Sequence, residues 1–215
     1  MLYRRRNNAA LFHPRDALTF MKVISQFVTS SAAPHQFPPG DVPEVAFLGR
    51  SNVGKSSLLN SLVGTKTANV SNTPGRTQTI NFFAVNFGNP KPNPELMLAD
   101  LPGYGYARVP KAIVGEWPKF IEPYLADREP LRLCVCLIDS NIPPQKSDLQ
   151  LLKWMQSAGR PVQLIATKTD RLSGNKLKQS LALLSREFQQ EVLPYSVKTG
   201  AGKDELWRKI RAAIS

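Results

Sequence analysis

Only two cysteines occur in the 215 residues, and both, Cys134 and Cys136, fall in one apolar run. At alternate positions of a strand they face the same side, and neighbours in one strand bridge poorly. They read as buried thiols, which excludes a disulfide-framed secreted scaffold. No apolar run approaches the ~20 residues that cross a bilayer, so no membrane span is expected. Acids are also scarce. Asp and Glu number 16 against 28 Lys and Arg, for a formal net charge of +12. No acid precedes Asp16. None lies between Val45 and Pro94, where Arg50, Lys55, Lys66, Arg76 and Lys91 are the only charges. Such a balance points to a polyanionic partner, most commonly nucleic acid, with a basic but solvated surface as the alternative.

The length suits one compact domain with an extension. Residues 1–18, beginning Met1-Leu2-Tyr3-Arg4-Arg5-Arg6, are a basic N-terminal arm. It could contact RNA, act as an organellar transit segment, or reflect an early start codon; it lacks the apolar core of a secretory signal. Residues 19–43 form a lead-in: Phe20–Val28 fits a short strand or a helix, and Ala33–Pro43 is a Pro-rich connector. The main domain spans 44–215.

From Glu44 onward, short apolar runs alternate with amphipathic stretches. Six runs read as strands: Val45–Leu48, Ile80–Phe87, Glu95–Asp100, Leu131–Asp139, Pro161–Thr167 and Val192–Ser196. Helical spacing follows in Ser57–Val63, in Leu149, Leu152 and Met155, in Leu177, Leu181, Leu184 and Phe188, and in Leu206, Trp207, Ile210 and Ile214. The Pro-rich loop at Gly88–Pro94 makes one hairpin. The expected fold is therefore α/β: a three-layer α/β/α sandwich around a mainly parallel six-stranded sheet, with one antiparallel strand at its edge. Ligands on such sheets bind beyond the carboxyl ends of the strands, where the polar and Gly-rich segments fall.

The first of those segments is Gly49-Arg50-Ser51-Asn52-Val53-Gly54-Lys55-Ser56, between a strand and a helix. This is the phosphate-loop pattern in the context that confirms it, the signature of a P-loop NTPase. Its backbone N–H groups can cradle phosphates, Lys55 can reach the β- and γ-phosphates, and the Ser56 hydroxyl can ligate Mg²⁺. Asp100-Leu101-Pro102-Gly103 follows a later strand: the carboxylate can hold Mg²⁺ through water, and Gly103 can offer its N–H to the γ-phosphate. Thr167-Lys168-Thr169-Asp170 follows another. Asp170 can accept from guanine N1–H and N2–H₂, a donor pair that adenine lacks, and the Lys168 stem can lie along the base. Tyr195-Ser196-Val197-Lys198 comes last; a backbone N–H there can meet guanine O6, and Ser196 can brace the Asp170 loop.

In this order the motifs resemble those of translation-factor-related GTPases. Gly49–Asn60, Thr73-Pro74-Gly75-Arg76-Thr77-Gln78-Thr79-Ile80-Asn81-Phe82-Phe83 and Asp100–Ala107 together are similar to the EngB (YsxC/YihA) family, and the likeness runs from about Met21 to Ile214. The resemblance implies a G domain that binds GTP and GDP with Mg²⁺ and acts in assembly of the large ribosomal subunit, on rRNA and ribosomal proteins. It further implies a role in growth and division, a monomer, and a bacterial cytoplasm or an organelle of bacterial descent. Thr77 would close on Mg²⁺ as the switch-one threonine, and Gly75 to Thr79 would line the nucleotide. Thr167 stands where GTPases at large carry Asn.

Hydrolysis would proceed by in-line attack of water, with Lys55, Thr77 and Gly103 as the catalytic set. Many GTPases place a glutamine after D-x-x-G to orient that water; here the residue is Tyr104, which implies slow intrinsic turnover. Gln78 is a weak stand-in. Asn52 is a candidate K⁺ ligand by analogy with related phosphate loops, or a residue that simply tolerates the turn. Arg108, Lys111 and Lys119 could extend a basic surface towards rRNA or form a solvated helix face. Two other classes compete: a small-molecule kinase, which would not need Thr167–Asp170, and a nucleotide-gated interaction module with negligible hydrolysis.

Overall fold

The computed structural model describes residues 22–65, 79–104 and 119–215. Their strands are β1 (Val23–Ser31), β2 (Glu44–Gly49), β3 (Ile80–Phe87), β4 (Leu96–Asp100), β5 (Leu131–Asp139), β6 (Val162–Thr167) and β7 (Val192–Pro194). Their helices are α1 (Lys55–Val63), α2 (Ile121–Asp127), α3 (Lys146–Ser157), α4 (Gly174–Phe188) and α5 (Lys203–Ile214). One seven-stranded sheet results, in the order β1-β3-β4-β2-β5-β6-β7.

The strand count corrects the expected six. The lead-in supplies β1, which pairs antiparallel with β3 from Val23↔Phe87 to Ser31↔Ile80. The antiparallel strand is also displaced from the expected edge: β3 lies between β1 and β4, antiparallel to both. β4, β2, β5, β6 and β7 run parallel.

Period-two alternation divides the core. Val45 and Phe47 of β2, with Leu133, Val135 and Leu137 of β5, pack under α1 and α5 beside Leu58, Leu62, Leu206 and Ile210. Ala46 and Leu48, with Cys134, Cys136 and Ile138, pack under α2, α3 and α4 beside Tyr124, Leu152, Met155 and Leu184. Both cysteines are buried free thiols, and burial pushes Cys134 up to about 12. On α3 the core face is Asp148, Leu151, Leu152 and Met155, with Leu149 only partly buried, a rotation from the face expected.

At the amino end of β2 a buried charge anchors the Pro-rich connector. Glu44 accepts from Arg128 Nη2 at 2.5 Å and from the Tyr124 hydroxyl at 2.9 Å. Arg128 Nη2 also donates to the Pro38 carbonyl at 2.7 Å, and the guanidinium lies 5.7 Å from the centre of the Phe37 ring.

Candidate functional site

β2 has β4 on one side and β5 on the other, so the chain crosses from one half of the sheet to the other around it. The crevice at its carboxyl end is where doubly wound sheets hold ligands. Residues 49–56 fill that position. A Cβ on Gly49 would come within 2.9 Å of both the Leu137 carbonyl and the Val53 side chain, so the loop turns there only without a side chain. Gly54 caps α1 at φ 103. The first-turn N–H groups of α1 have no acceptor within the helix and form, with Lys55 and Ser56, an anion cradle.

Asp100, at the end of β4, is buried and forms an ion pair with Lys55. Leu101 and Pro102 are buried and set the turn that follows. That turn is stitched to the phosphate loop. Leu101 N donates to Phe47 O, Ser51 N to Tyr104 O at 3.0 Å, and Tyr104 N to Gly49 O at 3.3 Å. Gly103 is exposed, and a Cβ there would lie 3.0–3.1 Å from Ser51 atoms.

On the far side, the Thr167 hydroxyl contacts the Val53 carbonyl at 2.7 Å and the Ile138 carbonyl at 3.1 Å, tying β6 to the phosphate loop. Lys168, at φ 59, donates to Asn52 O at 2.8 Å and pairs with Asp139 Oδ2 at 2.7 Å. Thr169 and Asp170 form a short 3₁₀ turn. Ser196 Oγ donates to Asp170 Oδ1 at 2.7 Å, as expected of a brace, and accepts from Thr199 N at 3.2 Å. That hydroxyl, assisted by Lys198 and Arg171, holds the exposed Asp170 carboxyl below its ordinary range. A phosphate cradle thus stands beside a fixed, ionised carboxylate acceptor.

A family model described as "50S ribosome-binding GTPase" matches residues 44–168. A probable GTP-binding protein EngB from Koribacter versatilis is 55% identical over 191 residues, covering 88% of this chain and 94% of its own. The chain belongs to the EngB family of GTP-binding proteins. A second EngB, from Acidobacterium capsulatum, is 56% identical over 191 residues, 88% of this chain and 90% of its own. Among solved structures, Era in complex with MgGDPNP and nucleotides 1506–1542 of 16S ribosomal RNA superposes with a TM-score of 0.63 at 25% identity, over 80% of this chain and 56% of that one. The protein is accordingly a GTP-binding, GTP-hydrolysing enzyme with a P-loop G-domain fold, and the kinase alternative falls.

Within this EngB-family site the expected residues divide. Gly49 to Ser56, Asp100 to Gly103, Thr167 to Asp170 and Ser196 to Lys198 gather at the carboxyl ends of β2, β4, β6 and β7. Thr79 precedes β3, while Gly75, Arg76, Thr77 and Gln78 lie outside the described residues, as do residues 1–18, Arg108 and Lys111. Tyr195 is fully buried; its hydroxyl donates to Ser61 Oγ of α1 at 3.1 Å, so its ring serves the core. Asn52 is exposed at φ 63, with its carbonyl held by Lys168.

Three polar residues were missed. Asp139 carries Lys168 and accepts from Asn141 N at 2.9 Å. Burial raises its carboxyl, but the Lys168 and Asn141 hydrogen bonds outweigh burial and hold it below the ordinary range. Asn141 Nδ2 reaches the Lys168 carbonyl at 3.3 Å. Asp148 receives the Tyr104 hydroxyl at 2.9 Å. The available signal for Asp139 was an acid ending the apolar run Leu133–Ile138, level with Thr167.

Proposed function

We propose that this GTPase is a nucleotide-dependent switch in assembly of the large ribosomal subunit, acting as a monomer in the bacterial cytoplasm and needed for growth and division. What carries this reading is the charge of the α3–α4 layer. Between 141 and 186 the exposed cations are Lys146, Lys153, Arg171, Lys176, Lys178 and Arg186. Against them stand Asp148, which is buried, Asp170, which belongs to the base loop, and Glu187, which is exposed near the end of α4 and pairs with Arg186, so the layer keeps a net positive charge. A layer of net positive charge fits an RNA backbone, and the family description names the 50S ribosome. In organisation, 44–215 is the G domain, 19–43 the lead-in and 1–18 a basic arm.

Ser56 and Asp100 fit Mg²⁺: a hydroxyl and a carboxylate are hard oxygen donors. Ser56 and Thr77 would hold it directly and Asp100 through water, and the ion would neutralise phosphate charge. Lys55 supplies fixed positive charge, and Gly103 offers an N–H unobstructed by a side chain. Intrinsic turnover is slow because Tyr104 faces the core and cannot orient water. Asn52 is the proposed K⁺ ligand.

Depletion of the protein in a bacterial host tests the assembly role. Sucrose gradients should show incomplete large-subunit particles with normal small subunits. A normal subunit profile after depletion would overturn it.

A further inference from the structure

Tyr104 follows the D-x-x-G motif, yet its ring is only 3% exposed and packs with the α2–α3–α4 side of the core. Its hydroxyl donates to Asp148 Oδ1 at 2.9 Å, and both partners are buried. Asp148 is the third residue of α3, on the core face, where helical period calls for an apolar side chain. A buried polar side chain is costly unless it is hydrogen-bonded. Part of the explanation is local, because Asp148 also hydrogen-bonds the Gln145 backbone at the helix start, the reciprocal contact of a capping box. A cap, however, needs no tyrosine. The surrounding pocket is lined by Cys136, Ile138, Leu151, Leu152, Leu164 and Phe188. A hydrogen bond is strongest in such apolar surroundings.

The same tyrosine is tied through its backbone to Gly49 and Ser51, and the neighbouring Gly103 packs against Ser51. Three pieces therefore meet at one residue: the phosphate loop, the D-x-x-G turn and the first turn of α3. Arg50, in the phosphate loop, adds its charge to the pair, drawing down the Asp148 carboxyl that burial raises.

We propose that the Tyr104–Asp148 hydrogen bond is a tether that fixes the D-x-x-G turn on the phosphate loop, which makes Asp148 a positioning residue for GTP hydrolysis. It rests on the GTPase activity and on Gly103 as the γ-phosphate donor. Affinity comes from the phosphate and base loops, neither of which the Tyr104 hydroxyl touches. The turn acts on charge that develops at the γ-phosphate. Loss of the tether therefore lowers kcat and leaves KM.

The test is steady-state GTP hydrolysis by the full chain, without ribosomes, at a temperature where each variant keeps the wild-type circular dichroism. Tyr104→Phe removes only the hydroxyl and leaves the cap; kcat should fall at least about fivefold with KM within about twofold. Asp148→Asn still accepts the hydroxyl and should retain at least about half of kcat. A folded Tyr104→Phe with kcat within about twofold of wild type, or above it, makes the pair a stability element only and overturns the proposal. So does an Asp148→Asn loss as large as that of Tyr104→Phe. If Tyr104→Phe does not fold, Asp148→Ala removes the acceptor and carries the same expectation. The wild-type arm tests the GTPase itself, so failure of the tether leaves the assembly role standing.

Discussion

Ser196 Oγ donates to Asp170 Oδ1 at 2.7 Å, joining the end of β7 to the base loop. The bond favours the charged carboxylate and is the largest cause of its lowered pKa. A depressed folded-state pKa means that the charged form is complete above the ordinary carboxylate range and is lost as pH falls through the lowered value. Ser196→Ala should move that loss to higher pH and weaken GDP roughly fivefold near neutrality. Titrating a fluorescent GDP analogue from about pH 7.5 down to about pH 3, through the ordinary carboxylate range, checks both. Superimposable wild-type and variant profiles would refute the brace.

Arg128 and Glu44 lie at the opposite end of β2 and should govern stability without governing nucleotide binding. Glu44 is 1% exposed, and among the described residues Arg128→Ala leaves the Tyr124 hydroxyl as its side-chain hydrogen-bond partner. Breaking such a pair from one side costs about 3 kcal/mol. Thermal melting should show a clear drop, partly recovered by Glu44→Gln in the same chain, while GDP affinity stays within about twofold. A variant that melts with the wild type would show the pair to be energetically neutral.

Much of this architecture is legible in the residues, for physical reasons that also mark where reading fails. Ile80–Phe87 and Leu131–Asp139 have the bounds expected of them, because period and flanking turns agree. β1 is ambiguous because its register shifts between Phe27 and Thr29, so Val28 breaks the alternation that identifies a strand. The antiparallel strand leaves the edge as a consequence. The face of α3 is misjudged because its buried ring includes an acid: a search for apolar spacing passes over Asp148. The nucleotide site reads well where function demands particular residues at fixed spacing, as in Gly49–Ser56. Lys168 joins Asp139 to Asn52, positions 29 and 116 residues from it, and no local pattern carries such a contact.

Asn52 provides the test for K⁺. Turnover should be at least about fivefold faster in potassium than in matched sodium buffer, since a cation beside the phosphates offsets transition-state charge. Asn52→Ala should abolish the difference. Equal wild-type rates in the two buffers would leave Asn52 as a turn residue, consistent with its φ of 63.

The most direct measurement is co-sedimentation with purified large ribosomal subunits, with GDP or with a non-hydrolysable GTP analogue. The GTP-analogue form should pellet with the particle and the GDP form should stay in the supernatant. Lys146, Lys153 and Lys178 are exposed on the α3–α4 layer. Reversing all three to Glu should weaken association roughly tenfold or more, with a shallower salt dependence and nucleotide affinity unchanged. Association that is absent, or equal in the two nucleotide forms, would contradict a nucleotide-dependent switch on the ribosome.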